Sequence, residues 1–163
     1  MRVLSITLLF AVSSLAQSAS APTVAQLLGT WRLVSVEDTM KDGATKPAPG
    51  LGPHAKGFLM YESDGHMCAA LMDPDRSAWR EPFTATDAEK IAWFDTFIAY
   101  CGTYSLDGEH STLTHNPEVA WMPAYVGSKQ SRPFKLEGDR LIITVKISTP
   151  TVEKRVLVWE RAK

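Results

Sequence analysis

The sequence predicts an all-β chain: an antiparallel up-and-down barrel of about eight strands, with one helix near a barrel mouth. Three observations carry that expectation. Short β-rich runs succeed one another, tight-turn dipeptides (Asp64-Gly65, Asp107-Gly108, Gly138-Asp139) separate them, and a single long helical pattern interrupts them. Neighbouring runs joined by tight turns pair antiparallel, and about eight such strands close around room for one small ligand.

The elements follow in chain order. Residues 24–28 suit one helical turn, ended by Gly29 before a β-rich run over 30–37. Gly43, Pro47, Pro49, Gly50, Gly52 and Pro53 make 41–56 a long loop at one mouth. Runs 57–63 and 66–72 flank Asp64-Gly65, a pair suited to the positive φ angles of a two-residue hairpin. That register sets Tyr61 opposite Cys68 and Met60 opposite Ala69. A loop containing Asp73, Asp75 and Trp79 leads to a helix expected over 87–100, with Thr86 and Glu89 at capping-box spacing. Its stripe of Ile91, Phe94 and Ile98, widened by Trp93 and Phe97, predicts a helix lying across or beside a barrel end. Further strands are expected at 101–106, 111–117, 130–137, 140–148 and 153–161. Prolines make 116–127 a mouth loop rather than a strand.

The 163 residues divide into a leader over 1–20 and one barrel domain over 21–163. Arg2, the apolar stretch 3–16 and the small residues 16–21 read as a signal peptide cut between 18 and 21, which predicts a periplasmic or secreted product. No later stretch is long and apolar enough to span a bilayer. The formal charge is −1, or −2 without Arg2, and no basic run offers a track for nucleic acid. In an oxidising compartment Cys68 and Cys101 are either a disulfide or two buried thiols.

Gly29-Thr30-Trp31 resembles the Gly-x-Trp start of lipocalins. A larger ordered set resembles the small bacterial and fungal lipocalin-like domain family. It comprises Leu28 to Ser35, Gly57-Phe58-Leu59-Met60-Tyr61 with Asp64-Gly65-His66-Met67, and Tyr100-Cys101-Gly102-Thr103-Tyr104. His115, Pro123, Gly127, Arg132 and Trp159-Glu160-Arg161 complete it. Cys101 and Tyr125 depart from the expected small residue and tryptophan. The resemblance implies a barrel with an internal cavity and transfers no catalytic set.

Strand alternation selects the candidate site. Across a two- or four-residue loop at Asp107-Gly108, Tyr100, Gly102, Tyr104, Leu113 and His115 share one face, and Leu113 and the tyrosines turn it inward. Arg132 shares a face with Phe134 and Leu136, and Leu141, Ile143, Val145 and Ile147 line the next strand. A buried arginine needs a carboxylate, a tyrosine or a ligand anion, or else belongs to a satisfied structural network. Trp121, Met122 and Tyr125 are candidates to cap the cavity. The Gly-x-Trp resemblance implies that Arg161, near the end of the last strand, stacks on Trp31 as a structural contact. The ligand-contact set is therefore Tyr61, Met67, Tyr100, Tyr104, His115, Trp121 and Arg132, around a small hydrophobic or amphipathic ligand. His54, His66, His110 and His115 lack metal-ligand spacing, so no metal or cofactor is expected. The alternative is an isomerase or cyclase of a small polyketide-like or lipid-like carbonyl compound. There His115 is the acid or base, and Tyr104 or Arg132 polarises the carbonyl.

Overall fold

The computed structural model describes residues 21–77, 84–147 and 149–163. The expected leader and the loop residue Trp79 lie outside these residues. The chain opens with α1 (Val24–Leu27), then β1 (Gly29–Met40), β2 (Thr45–Pro47), β3 (Lys56–Tyr61) and β4 (His66–Met72). Next come α2 (Asp87–Asp95), β5 (Phe97–Asp107) and β6 (Thr112–Ala120), and then a 3₁₀ turn, Pro123–Tyr125. The chain finishes with β7 (Gln130–Glu137), β8 (Arg140–Lys146) and β9 (Val152–Arg161).

All strands pair antiparallel in the order β2-β1-β3-β4-β5-β6-β7-β8-β9, and β1 also pairs with β9. The barrel therefore closes on itself with eight strands, while the short β2 adds to the far end of β1 through Glu37↔Pro47. Closure removes free sheet edges. Alternate side chains of each strand point inward, so the core gathers Leu33 and Val36 of β1, Leu59 of β3, Leu71 of β4, Leu113 of β6, Phe134 of β7, Leu141 and Ile143 of β8 and Trp159 of β9.

One end is sealed by α1. Leu27 is fully buried there, its carbonyl accepts from Trp31 Nε1 at 2.8 Å, and the Arg161 guanidinium lies 4.3 Å from the Trp31 ring centroid. Arg161 also donates to the Leu28 and Gln26 carbonyls at 2.9 and 2.8 Å, so the first and last strands are tied across α1 as the Trp31–Arg161 expectation held. At the other end the loop after β2 folds in, burying Ala48 and Leu51.

The structure differs from the sequence expectation at five places, the first being that the stretch 41–56, expected as a loop, contains β2 paired with β1. The β3–β4 hairpin turns on three residues, because Glu62 N–H bonds to the His66 carbonyl and Gly65 sits at φ 90°. Tyr61 therefore faces Met67, and Met60 faces Cys68, one residue off the two-residue register. The helix ends at Asp95 rather than near 100. Phe97 to Tyr100 pair with β4 instead (Met72↔Phe97, Ala69↔Tyr100), a ladder that outweighs local helical pattern. The stripe of α2 is not covered as expected: Ile91 is 62% and Phe94 48% exposed. Finally, β6 continues through Pro117 to Ala120. The proline faces Gly102 beside a bulge and lies beyond the last β6–β7 pair, His115↔Gln130, so no ladder there needs its missing N–H.

The loop after Asp107 has four residues, since Asp107 pairs with Thr112, and the face expected from alternation is inward: Tyr100, Gly102, Tyr104, Leu113 and His115 are all buried. Of the two readings open for the cysteines, the disulfide holds. Cys68 and Cys101 are directly opposite on β4 and β5 and are bonded.

Candidate functional site

Inside the barrel is a cavity of about 90 Å³. Its wall is mostly apolar, formed by Val36, Leu59, Leu71, Ile98, Ile143 and Leu157 among others, with Leu51 reaching in from the mouth loop. The polar lining comes from Tyr100, His115, Tyr125, Arg132 and Arg155, and the Trp159 side chain completes the wall.

Four strands, β3, β5, β6 and β7, build the main polar cluster. His115 on β6 is 2% exposed and sits between two hydroxyls: Tyr61 Oη lies 2.8 Å from its Nε2, and Tyr100 Oη 2.9 Å from its Nδ1. Burial, assisted by the positive charge of Arg132, pushes the His115 pKa down to about 3, so the ring is neutral near pH 7. Burial pushes Tyr100 up to about 12, against the opposing pull of Arg132, which acts on its hydroxyl as a charge and as a hydrogen-bond donor. Burial also raises Tyr61 well above the usual phenol value, with Tyr100 and Tyr104 adding to the effect. A neutral imidazole carries one N–H, so His115 donates to one of these two tyrosine hydroxyls and accepts from the other.

Arg132 on β7 is 7% exposed. Its Nη2 donates to Gln130 Oε1 at 3.0 Å, Gln130 donates to Ser128 Oγ at 2.6 Å, and Ser128 donates to the Tyr125 carbonyl at 2.6 Å, so the 3₁₀ turn positions the guanidinium. Among the described residues no carboxylate lies within ion-pair distance of Arg132. The other cavity arginine is neutralised: Arg155 makes a two-pronged pair with the buried Asp38 at 2.6 and 3.0 Å, from directly opposite positions on β9 and β1.

The expected site residues divide in two. Tyr100, His115 and Arg132 line the cavity together. Tyr61 stands behind His115 as its hydrogen-bond partner. Tyr104 donates to the Glu62 carbonyl at 3.0 Å and packs on Tyr61 with ring centroids 4.7 Å apart. Met67 is buried in the core, and Trp121 packs edge-on against Tyr125 at 4.8 Å. Sequence reasoning did not select Arg155, Asp38 or Trp159 for the cavity. The alternation of β9 was available as a signal, since Arg155, Leu157 and Trp159 fall on one face. Among the described residues no three His, Cys, Asp or Glu side chains converge as a metal site, and no helix is long and apolar enough to cross a membrane.

Comparison with solved structures returns chains of low identity. The Echinococcus granulosus fatty-acid-binding protein 1 shares 15% identity, covering 85% of this chain and 99% of that one, with a TM-score of 0.42. Wild-type fluorescent protein UnaG shares 13% identity over 86% of this chain and all of its own, with a TM-score of 0.41. No curated protein matches in sequence. The lipocalin-like domain family matches over residues 28–162, from the carbonyl that Arg161 holds to the end of β9 and just beyond. The chain belongs to the lipocalin-like domain family.

Proposed function

We propose that this barrel binds a small amphipathic organic anion, with its acidic head on Arg132 and its apolar body against Leu59, Leu71, Ile143 and Leu157. One observation carries the reading: Arg132 is a buried cation beside an apolar cavity, with no carboxylate partner among the described residues. A buried charge left so is costly, and a ligand anion offsets that cost. A cavity of about 90 Å³ suits a short ligand rather than a long-chain one. The neutral His115, with both nitrogens engaged and a pKa near 3, is a weak base at neutral pH. That favours carriage over the isomerase or cyclase alternative.

The experiment is calorimetric titration with pentanoate, pentanamide and pentylamine. Pentanoate binds and the two others do not, and Arg132→Gln abolishes the preference. Equal binding of acid and amide would remove the reading. The leader-like stretch over 1–20 and the Cys68–Cys101 bond both support an exported protein acting in a periplasmic or extracellular space. Mass determination of the product from the periplasm or medium tests this: cleavage between residues 18 and 21 agrees, and an intact Met1 start does not.

A further inference from the structure

One residue lining the cavity, Trp159, takes no part in the Tyr61–His115–Tyr100–Arg132 cluster. Trp159 on β9 lies between Leu33 of β1 and Leu141 of β8 in the ladder, and all three are buried. Its ring lines the cavity at 2% exposure, and Nε1 meets no acceptor among the described residues. The other fully buried indole behaves differently: at the sealed end, Trp31 Nε1 is satisfied by the Leu27 carbonyl at 2.8 Å. Buried indole N–H groups usually find a partner, because a donor stripped of water and left unpaired is expensive. The lining next to Trp159 is aliphatic: Val36, Leu157 and Ile143 supply no acceptor.

We infer that the preferred ligand carries a second oxygen acceptor, remote from its acidic head, which receives the Trp159 indole N–H. The ligand class is then an oxo- or hydroxy-acid rather than a plain alkyl acid. This rests on the anion reading of Arg132 and adds a second recognition point, held on strands β9 and β7 on either side of β8. The two points also orient the ligand. Arg155 does not compete for the head group, because Asp38 already occupies it. A site that presents a fixed donor discriminates against analogues lacking the matching acceptor, since binding those leaves the donor unpaired.

The test uses the full chain and two matched probe pairs, pentanoate with 4-oxopentanoate and hexanoate with 5-oxohexanoate, titrated against wild type, Trp159→Phe and Arg132→Gln. In at least one pair the oxo-acid binds wild type about three- to ten-fold more tightly, the worth of one neutral hydrogen bond. Trp159→Phe erases that advantage, so that the oxo-acid and the plain acid of a pair bind the variant alike. Arg132→Gln weakens both members of the pair. If the plain acids bind in an Arg132-dependent way but no oxo group adds affinity, or its advantage survives Trp159→Phe, this inference falls and the anion reading stands. If no acid binds, or Arg132→Gln changes nothing, both fall. A second measurement avoids the variant altogether. In wild type labelled with ¹⁵N-tryptophan, the assigned Trp159 indole N–H resonance moves downfield with the oxo-acid and not with the plain acid. An unmoved resonance overturns the inference.

Discussion

The Tyr61 hydroxyl reaches Nε2 of His115 at 2.8 Å across 54 residues of sequence, joining the end of β3 to the middle of β6 through the barrel interior. With Tyr100 on Nδ1 this contact satisfies an otherwise costly buried imidazole, and it leaves Arg132 as the cluster's uncompensated charge.

Arg132 is therefore expected to serve binding rather than stability. A buried cation without a carboxylate carries a desolvation cost that an apolar side chain of similar size does not. Arg132→Leu should unfold in urea at or above the wild-type midpoint while losing about ten- to hundred-fold in affinity for pentanoate. A variant that unfolds easily would make Arg132 a structural residue.

His115 predicts the shape of acid unfolding. Its folded pKa, about 3, lies below the unfolded value of 6.5, so between those limits the unfolded chain binds the extra proton. Stability is then highest above pH 6.5 and falls as pH drops, by up to ~1.4 kcal/mol per unit, until about pH 3. His115→Gln keeps a donor and an acceptor for the two tyrosines but does not titrate. Urea midpoints measured from pH 7 to pH 4 should slope less steeply in that variant; parallel slopes would assign acid sensitivity elsewhere.

The Cys68–Cys101 bond closes a loop spanning a sequence separation of 33 residues, and constraining the unfolded chain to that extent is worth about 3–4 kcal/mol. Because both side chains lie on the partly covered outer face of β4 and β5, breaking the bond should leave the cavity intact. The Cys68→Ala, Cys101→Ala double variant should lose stability in guanidinium unfolding yet bind pentanoate as wild type does. Loss of binding in the folded variant would contradict this.

Arg161 is predicted to hold the closed end. Arg161→Ala removes the guanidinium from the Trp31 face and from two carbonyls, a loss of about 2 kcal/mol, and Arg161→Lys should recover only part of it. Calorimetric melting of the two variants orders them, and an alanine variant that melts with wild type would refute the assignment.

Much of the fold was legible because strand alternation and turn residues are local properties. Inward Tyr100, His115 and Arg132 followed from counting along strands, and the four-residue loop after Asp107 preserved the count. The hairpin register failed because a two-residue and a three-residue turn share the same Asp64-Gly65 signal. The helix end failed because residues 97–100 carry helical spacing and β-sheet composition together, and the β4 ladder decided between them.

By itself the sequence determined which stretches are strands and which faces are greasy. These depend on neighbours a few residues apart, whose periodicity is written in the chain. Only the tertiary structure decided that Asp38 neutralises Arg155 and nothing among the described residues neutralises Arg132, and that Trp31 has an acceptor while Trp159 has none. Charge compensation and hydrogen-bond satisfaction depend on distances between residues far apart in sequence, and those distances exist only once the last strand has closed on the first.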